Sequence, residues 1–337
     1  MTRNACLFVL FFACAATALE AVDGDLDTTF GGDGIVSSNF GTGWQPARAV
    51  AVFPDGSILV GGSYGTAGNT TDFYVVRYRA DGSIDGGWGE FGGQQVPVET
   101  FVGGQDDLKT IVLDASGAAV LLGTTAASGG ATLPGLARLT PEGDLDAGFG
   151  TGGIAVGDTY PWGGAKNTYG ATAHLDGFLF AGNCTACGSG NTDGFFLYRT
   201  LASGDPDPGF GSAGWLGIAS GFNAGTNAWE VASTADGKIL LGATHKPVGA
   251  EEVWIYRLLP SGAPDPTFGG GDGLVTFLTP EDWNPSAIQY DPVDGAIYVG
   301  LRGALEETGP TSGSVARLAA NGDLDAGFGF PDLTLEE

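Results

Sequence analysis

One motif recurs at near-constant intervals and limits what this chain can fold into. Asp-x-x-(Phe/Trp)-Gly occurs at Asp27/Phe30/Gly31, Asp85/Trp88/Gly89, Asp146/Phe149/Gly150, Asp207/Phe210/Gly211, Asp265/Phe268/Gly269 and Asp325/Phe328/Gly329. The steps between successive Asp are 58, 61, 61, 58 and 60 residues. Arg77, Arg138, Arg199, Arg257 and Arg317 each stand eight residues before one of the last five Asp, so five of nine arginines hold one repeat position. A period of this length signals a solenoid or propeller, in which each copy buries its faces only by stacking on its neighbours.

Within each period, apolar runs flank a turn carrying Gly at 56, 117, 177, 237 and 295, as in Ala49 to Phe53 followed by Ile58 to Val60. Adding the Arg-bearing run (Phe73 to Tyr78 in the first copy) and the run after the aromatic (Gln95 to Val98) gives four short strands, a, b, c and d, per copy. With 61 Gly in 337 residues and β-rich runs punctuated by Gly, Asp, Asn and Pro, the composition fits no helical alternative. The expected fold is all-β: a five-bladed propeller of four-stranded antiparallel blades. Six d-type segments meet only five a-b-c sets. The N-terminal run Ile35 to Phe40 is expected to close the ring as the outer strand of the last blade, hiding a sheet edge. The Pro331-broken end is then a tail; the alternative is that this tail completes blade five.

The phrases Arg77-Tyr78-x-x-Asp81-Gly82-Ser83-x-Asp85 and Asp55-Gly56-x-x-Leu59-Val60-Gly61-Gly62 resemble the delta-60 repeat, a bacterial β-propeller family of unassigned function. The resemblance extends over nearly the whole chain after its leader and implies a propeller; it brings no catalytic residues to carry over. Ser116-Gly117, where the turn lacks its Asp, and the end at Phe330-Pro331-Asp332 depart from the pattern.

Arg3, the apolar stretch Cys6 to Ala18 and the small residues around Ala21 read as a cleavable signal peptide over 1–21, leaving one propeller domain over 22–337. The stretch is shorter than the roughly 20 residues a membrane-spanning helix needs. A secreted, periplasmic or cell-envelope protein is expected, without a membrane span. The net charge is −26 with or without this leader, because it removes Arg3 and Glu20 together. Nucleic acid is thereby excluded as a partner, since its recognition requires a cationic face. A monomer without cofactor is expected.

Other chemical signals are weak. Gly61-Gly62-Ser63-Tyr64-Gly65 matches a hydrolase elbow in letters but lacks its strand-turn-helix setting. His174 and His245 stand in different copies without zinc-site spacing, so no metal ligands and no catalytic residues are assigned. Cys184 and Cys187 are read as a local disulfide of an oxidising compartment. The paired carboxylates at 25/27, 144/146, 205/207 and 323/325 resemble a calcium pattern, but Ser83 and Ala263 replace the first member in two copies. Asp85, Asp146, Asp207, Asp265 and Asp325 are read instead as turn acceptors, partnered by the repeated arginines.

The a-b and c-d connections repeat, whereas the b-c and d-a connections differ in every copy, so one face of the disc is uniform and the other variable. Function on a repeated scaffold belongs where loops vary. The segments before the inner strands offer Trp44 and Arg48; Asp106, Asp107 and Lys109; Lys166 and Tyr169; Trp229 and Glu230; and Asp282 and Trp283. Aromatic and polar groups converging there suit a glycan, peptide or protein ligand. The favoured expectation is a non-enzymatic binding or scaffolding module; the alternative is a propeller hydrolase or lyase acting at the channel mouth.

Overall fold

The computed structural model describes residues 25–39, 46–66, 70–89, 96–98, 105–126, 132–157, 160–161, 166–184, 193–219, 226–245, 252–279, 283–304, 311–328 and 334–335. Blade one is β1 (Ala47–Val52), β2 (Ile58–Thr66), β3 (Thr70–Tyr78) and β4 (Val96–Val98). Blade two is β5 (Asp107–Leu113), β6 (Ala119–Ala126), β7 (Thr132–Leu139) and β8 (Ile154–Val156). Blade three is β9 (Lys166–His174), β10 (Gly177–Cys184), β11 (Gly194–Leu201) and β12 (Trp215–Ala219). Blade four is β13 (Thr226–Ser233), β14 (Ile239–His245), β15 (Glu252–Leu258) and β16 (Leu274–Leu278). Blade five has three strands, β17 (Asn284–Tyr290), β18 (Ile297–Ala304) and β19 (Thr311–Leu318). Neighbours within every blade are antiparallel. The protein is therefore an all-β, five-bladed propeller.

Four large apolar clusters fill the gaps between successive blades. Leu59, Phe73 and Val75 of blade one meet Leu121 and Leu139 of blade two. Leu122 and Phe149 meet Phe180 and Phe196 between blades two and three. Phe195 and Leu197 meet Leu241 and Trp254 between three and four, and Ile255 and Phe277 meet Val299 and Leu318 between four and five. Each Leu, Ile or Phe buried this way stabilises the fold by about 1.5–3 kcal/mol, so blade stacking supplies the core.

The repeated aromatic is the key of each interface, and a glycine of the next blade is its lock. Gly143 and Gly204 sit at φ +96° and +87°, and a Cβ on either would come within 2.7 Å of Trp88 or Phe149 of the preceding copy. The left-handed backbone and the ring seated against it both exclude a side chain. The repeated Arg closes the same turn. Arg199 Nε donates to Asp207 at 2.6 Å, Arg257 Nε to Asp265 at 2.7 Å and Arg317 Nη1 to Asp325 at 2.6 Å. Arg138 and Arg77 approach Asp146 and Asp85 at 3.4 and 3.8 Å. Arg199 and Arg257 also donate to carbonyls of the following copy, Pro260 and Ala320. Burial raises the Asp265 carboxyl, but hydrogen bonds from Thr267 and Arg257 prevail and hold it at about 2.

The termini differ from expectation. Residues 35–39 form no strand and pair with no strand of blade five among the described residues. They lie on blade one instead: Val36 packs on Tyr74, Val76 and Tyr78, and the Tyr78 hydroxyl donates to Ser38 Oγ at 2.9 Å. The C-terminal β20 (Thr334–Leu335) pairs with β16 of blade four, so it neither hangs as a tail nor completes blade five.

Candidate active site

All five inner strands carry the same irregularity. In the ladder between the first and second strands of each blade, the register slips by one residue, leaving Arg48, Lys109, Tyr169, Trp229 and Ser286 as the extra residue. A bulge leaves its extra residue out of the ladder and re-aims its side chain. All five bulged residues line one cavity of about 680 Å³ at the channel mouth. Glu230, Asn284 and Arg302 line it with them.

The carboxyl of Glu230 is the cavity's perturbed group. Gly170 of β9 lies so close to β13 that a Cβ would stand 2.9 Å from Val231 N, and this close backbone approach takes Glu230 partly out of water. Burial pushes Glu230 up to about 7; the Val231 N–H donated to Oε1 at 3.1 Å and the charge of Lys109 lower it only in part. A carboxyl in this range donates a proton near neutrality, as a general acid must.

Beside it stands an ordered charged group. Lys109 Nζ donates to Asp107 Oδ2 at 2.6 Å, Arg48 Nε lies 3.6 Å from Asp107 Oδ1, and Ser63 Oγ donates to that oxygen at 3.1 Å. The Tyr169 and Trp229 rings are 5.3 Å apart at 48°, and Trp229 is held by its Nε1 donating to Thr244 Oγ1 at 3.0 Å. The cavity lining thus combines an aromatic wall, an acid and cations, two of which pair with Asp107.

The sequence-selected residues divide accordingly. Arg48, Lys109, Tyr169, Trp229 and Glu230 meet at the cavity, and Asp107 touches two of them. Two placements require correction. Trp283 is buried in the apolar cluster between blades four and five, and Asp106 is fully buried beside β3, where its N–H donates to Thr71 O at 2.8 Å; neither lines the cavity. Trp44 and Asp282 lie outside the described residues, and Lys166 is described only as the first backbone position of β9. Cys184 is buried and disulfide-bonded; Cys187 lies outside the described residues. Ser286 and Arg302 were missed. The available signal for Ser286 was spacing, since the five bulges follow at steps of 61, 60, 60 and 57 residues.

None of the other motifs lines the cavity. Ser63 of the Gly-x-Ser-x-Gly string lies inside β2 and is buried. His174 and His245 are buried in blades three and four. Among the described residues, no three His, Cys, Asp or Glu side chains form a metal-binding group, and no helix is long and apolar enough to cross a membrane.

A family profile matches this chain. It is the domain of unknown function (DUF5122) beta-propeller, matched at residues 54–87, 120–149, 234–268 and 303–328. Against curated proteins the sequence has no match. Solved structures are similar to this chain at low identity. The GH43 endo-arabinanase from Bacillus licheniformis is 12% identical, with 82% of this chain and 95% of that chain covered and a TM-score of 0.42. The GH43_1 enzyme from Xanthomonas citri complexed with xylose is 14% identical, with 82% and 89% covered and a TM-score of 0.37. A glucose dehydrogenase is 14% identical, with 84% and 99% covered and a TM-score of 0.36. The expected non-enzymatic binding or scaffolding role is corrected here. That expectation rested on the lack of a nucleophile or metal-binding imidazole beside the inner-strand carboxylates; a carboxyl raised to about 7 in the cavity, Glu230, is the feature of this chain that favours the hydrolase alternative.

Proposed function

We propose that the protein is a hydrolase that cleaves a saccharide bound across the channel mouth. The observation that carries this reading is Glu230, raised to about 7 in a cavity walled by Tyr169 and Trp229. Aromatic faces bind the apolar faces of sugar rings. Below about 7 Glu230 holds a proton for the leaving oxygen. Asp107 pairs with Lys109 and Arg48 and so holds these two cations at the cavity wall. A secreted monomer accords with this role, with residues 1–21 cleaved and Cys184 joined to Cys187; the delta-60 resemblance belongs to the same reading.

The test is release of reducing ends from a panel of plant and microbial polysaccharides. Glu230→Gln lowers kcat by about 10²-fold or more on the active substrate, the usual contribution of a general acid. In the native protein kcat/KM falls as pH rises through about 7, and Glu230→Gln loses that limb. Cleavage by Glu230→Gln at the native rate rules out this mechanism.

A further inference from the structure

Cations are scarce in this chain, 13 Lys and Arg against 39 Asp and Glu, and five of them are the repeat arginines. Three others, Arg48, Lys109 and Arg302, line the one mouth cavity from three different blades. Asp107 engages the first two. Arg302 is exposed and has no ion-pair partner among the described residues.

The repeat does not require an arginine at 302. Arg302 pairs with Asn284 in the ladder two residues before the bulge; its counterparts in blades two, three and four are Thr124, Asn183 and Thr244. Two of these neutral groups bond locally: Asn183 Nδ2 donates to Asn227 at 2.6 Å, and Thr244 Oγ1 accepts from Trp229. Blade five replaces a small, locally satisfied side chain with a guanidinium directed at the cavity. Its planar fork matches a carboxylate or sulfate with two parallel hydrogen bonds.

Resting on the hydrolase reading, we infer that the substrate is an anionic saccharide, whose carboxylate or sulfate binds Arg302 while its ring lies against Tyr169 and Trp229. Glu230, largely protonated below about 7, adds little opposing charge there.

Calorimetry with the full-length mature protein tests this. The probes are an oligogalacturonate, its carboxyl-reduced neutral counterpart and a sulfated galactan oligosaccharide. One charged probe binds at least about tenfold tighter than the neutral one, and Arg302→Gln removes that preference without changing the neutral affinity. Which charged probe is preferred identifies carboxylate or sulfate. Equal affinity for charged and neutral probes, binding of none of them, or an Arg302→Gln variant that keeps the preference overturns the inference. A charged probe bound but not cleaved refutes hydrolysis and leaves anion selection standing; neutral glycan cleaved without charge preference does the reverse.

Discussion

His174 is buried between the inner strands of blades three and four, where its Nδ1 lies 2.9 Å from Ser233 Oγ. Burial, and then the charge of Arg199, lower it from 6.5 to about 4, against the smaller opposing pull of Asp176 and Asp207. The folded protein therefore stays unprotonated where the unfolded chain takes a proton. Stability is unaffected by this residue above pH 6.5, declines as pH falls from 6.5 to 4 and levels off below, a loss of about 3 kcal/mol. Urea midpoints measured across this range should fall with acid, and His174→Gln should flatten the slope. An unchanged slope in that variant assigns the acid sensitivity to other groups. In the sequence His174 was only one of two isolated histidines; its neighbour Ser233 is 59 residues away and only stacking of the blades brings them together.

Among the elements, the c-d turn is the most determined. Arg257 is 8% exposed, its guanidinium carbon lies 4.4 Å from the Phe268 ring centroid, and it bonds Asp265, Thr267 and the next blade's Ala320 carbonyl. Arg257→Ala leaves Asp265 buried without its cation, and the expected loss is about 3–5 kcal/mol. A denaturation midpoint equal to the native one removes the turn from the stabilising framework. This turn was legible because its residues repeat: Arg, Asp, aromatic and Gly recur in type and spacing. The bulges were not. Arg48, Lys109, Tyr169, Trp229 and Ser286 share no residue type, and a bulge exists only in the pairing of two strands. Five of the site's residues were found because they lie near the starts of inner strands. Arg302 was missed because it lies on a second strand, away from the starts of the inner strands where the site residues were sought.

At the scale of the whole molecule, the seam between blades five and one is unlike the other four. Val50, Val315 and Phe328 are 66%, 46% and 38% exposed, whereas the equivalent Val231, Ile255 and Phe268 are buried. Two chain ends carry the aromatic anchor, but blade one has one slot for it. Phe30 holds that slot: Gly31 N donates to Asp81 O at 2.9 Å, as Gly89 does to Glu142 and Gly269 to Asn321 in the other copies. A Cβ on Gly82 would meet Phe30 and Val36, as one on Gly322 would meet Phe268 and Val275. The N-terminal segment thus packs on blade one as the end of a preceding blade does. Phe328, without a slot, rests its ring 5.6 Å from Tyr298. Phe30→Ala should therefore cost more than Phe328→Ala, roughly 2–4 against 1 kcal/mol, because only the first empties a packed interface. Chemical denaturation of the two variants decides the matter: the reverse order means that in solution the C-terminal anchor takes the slot and the N-terminal segment is the displaced one.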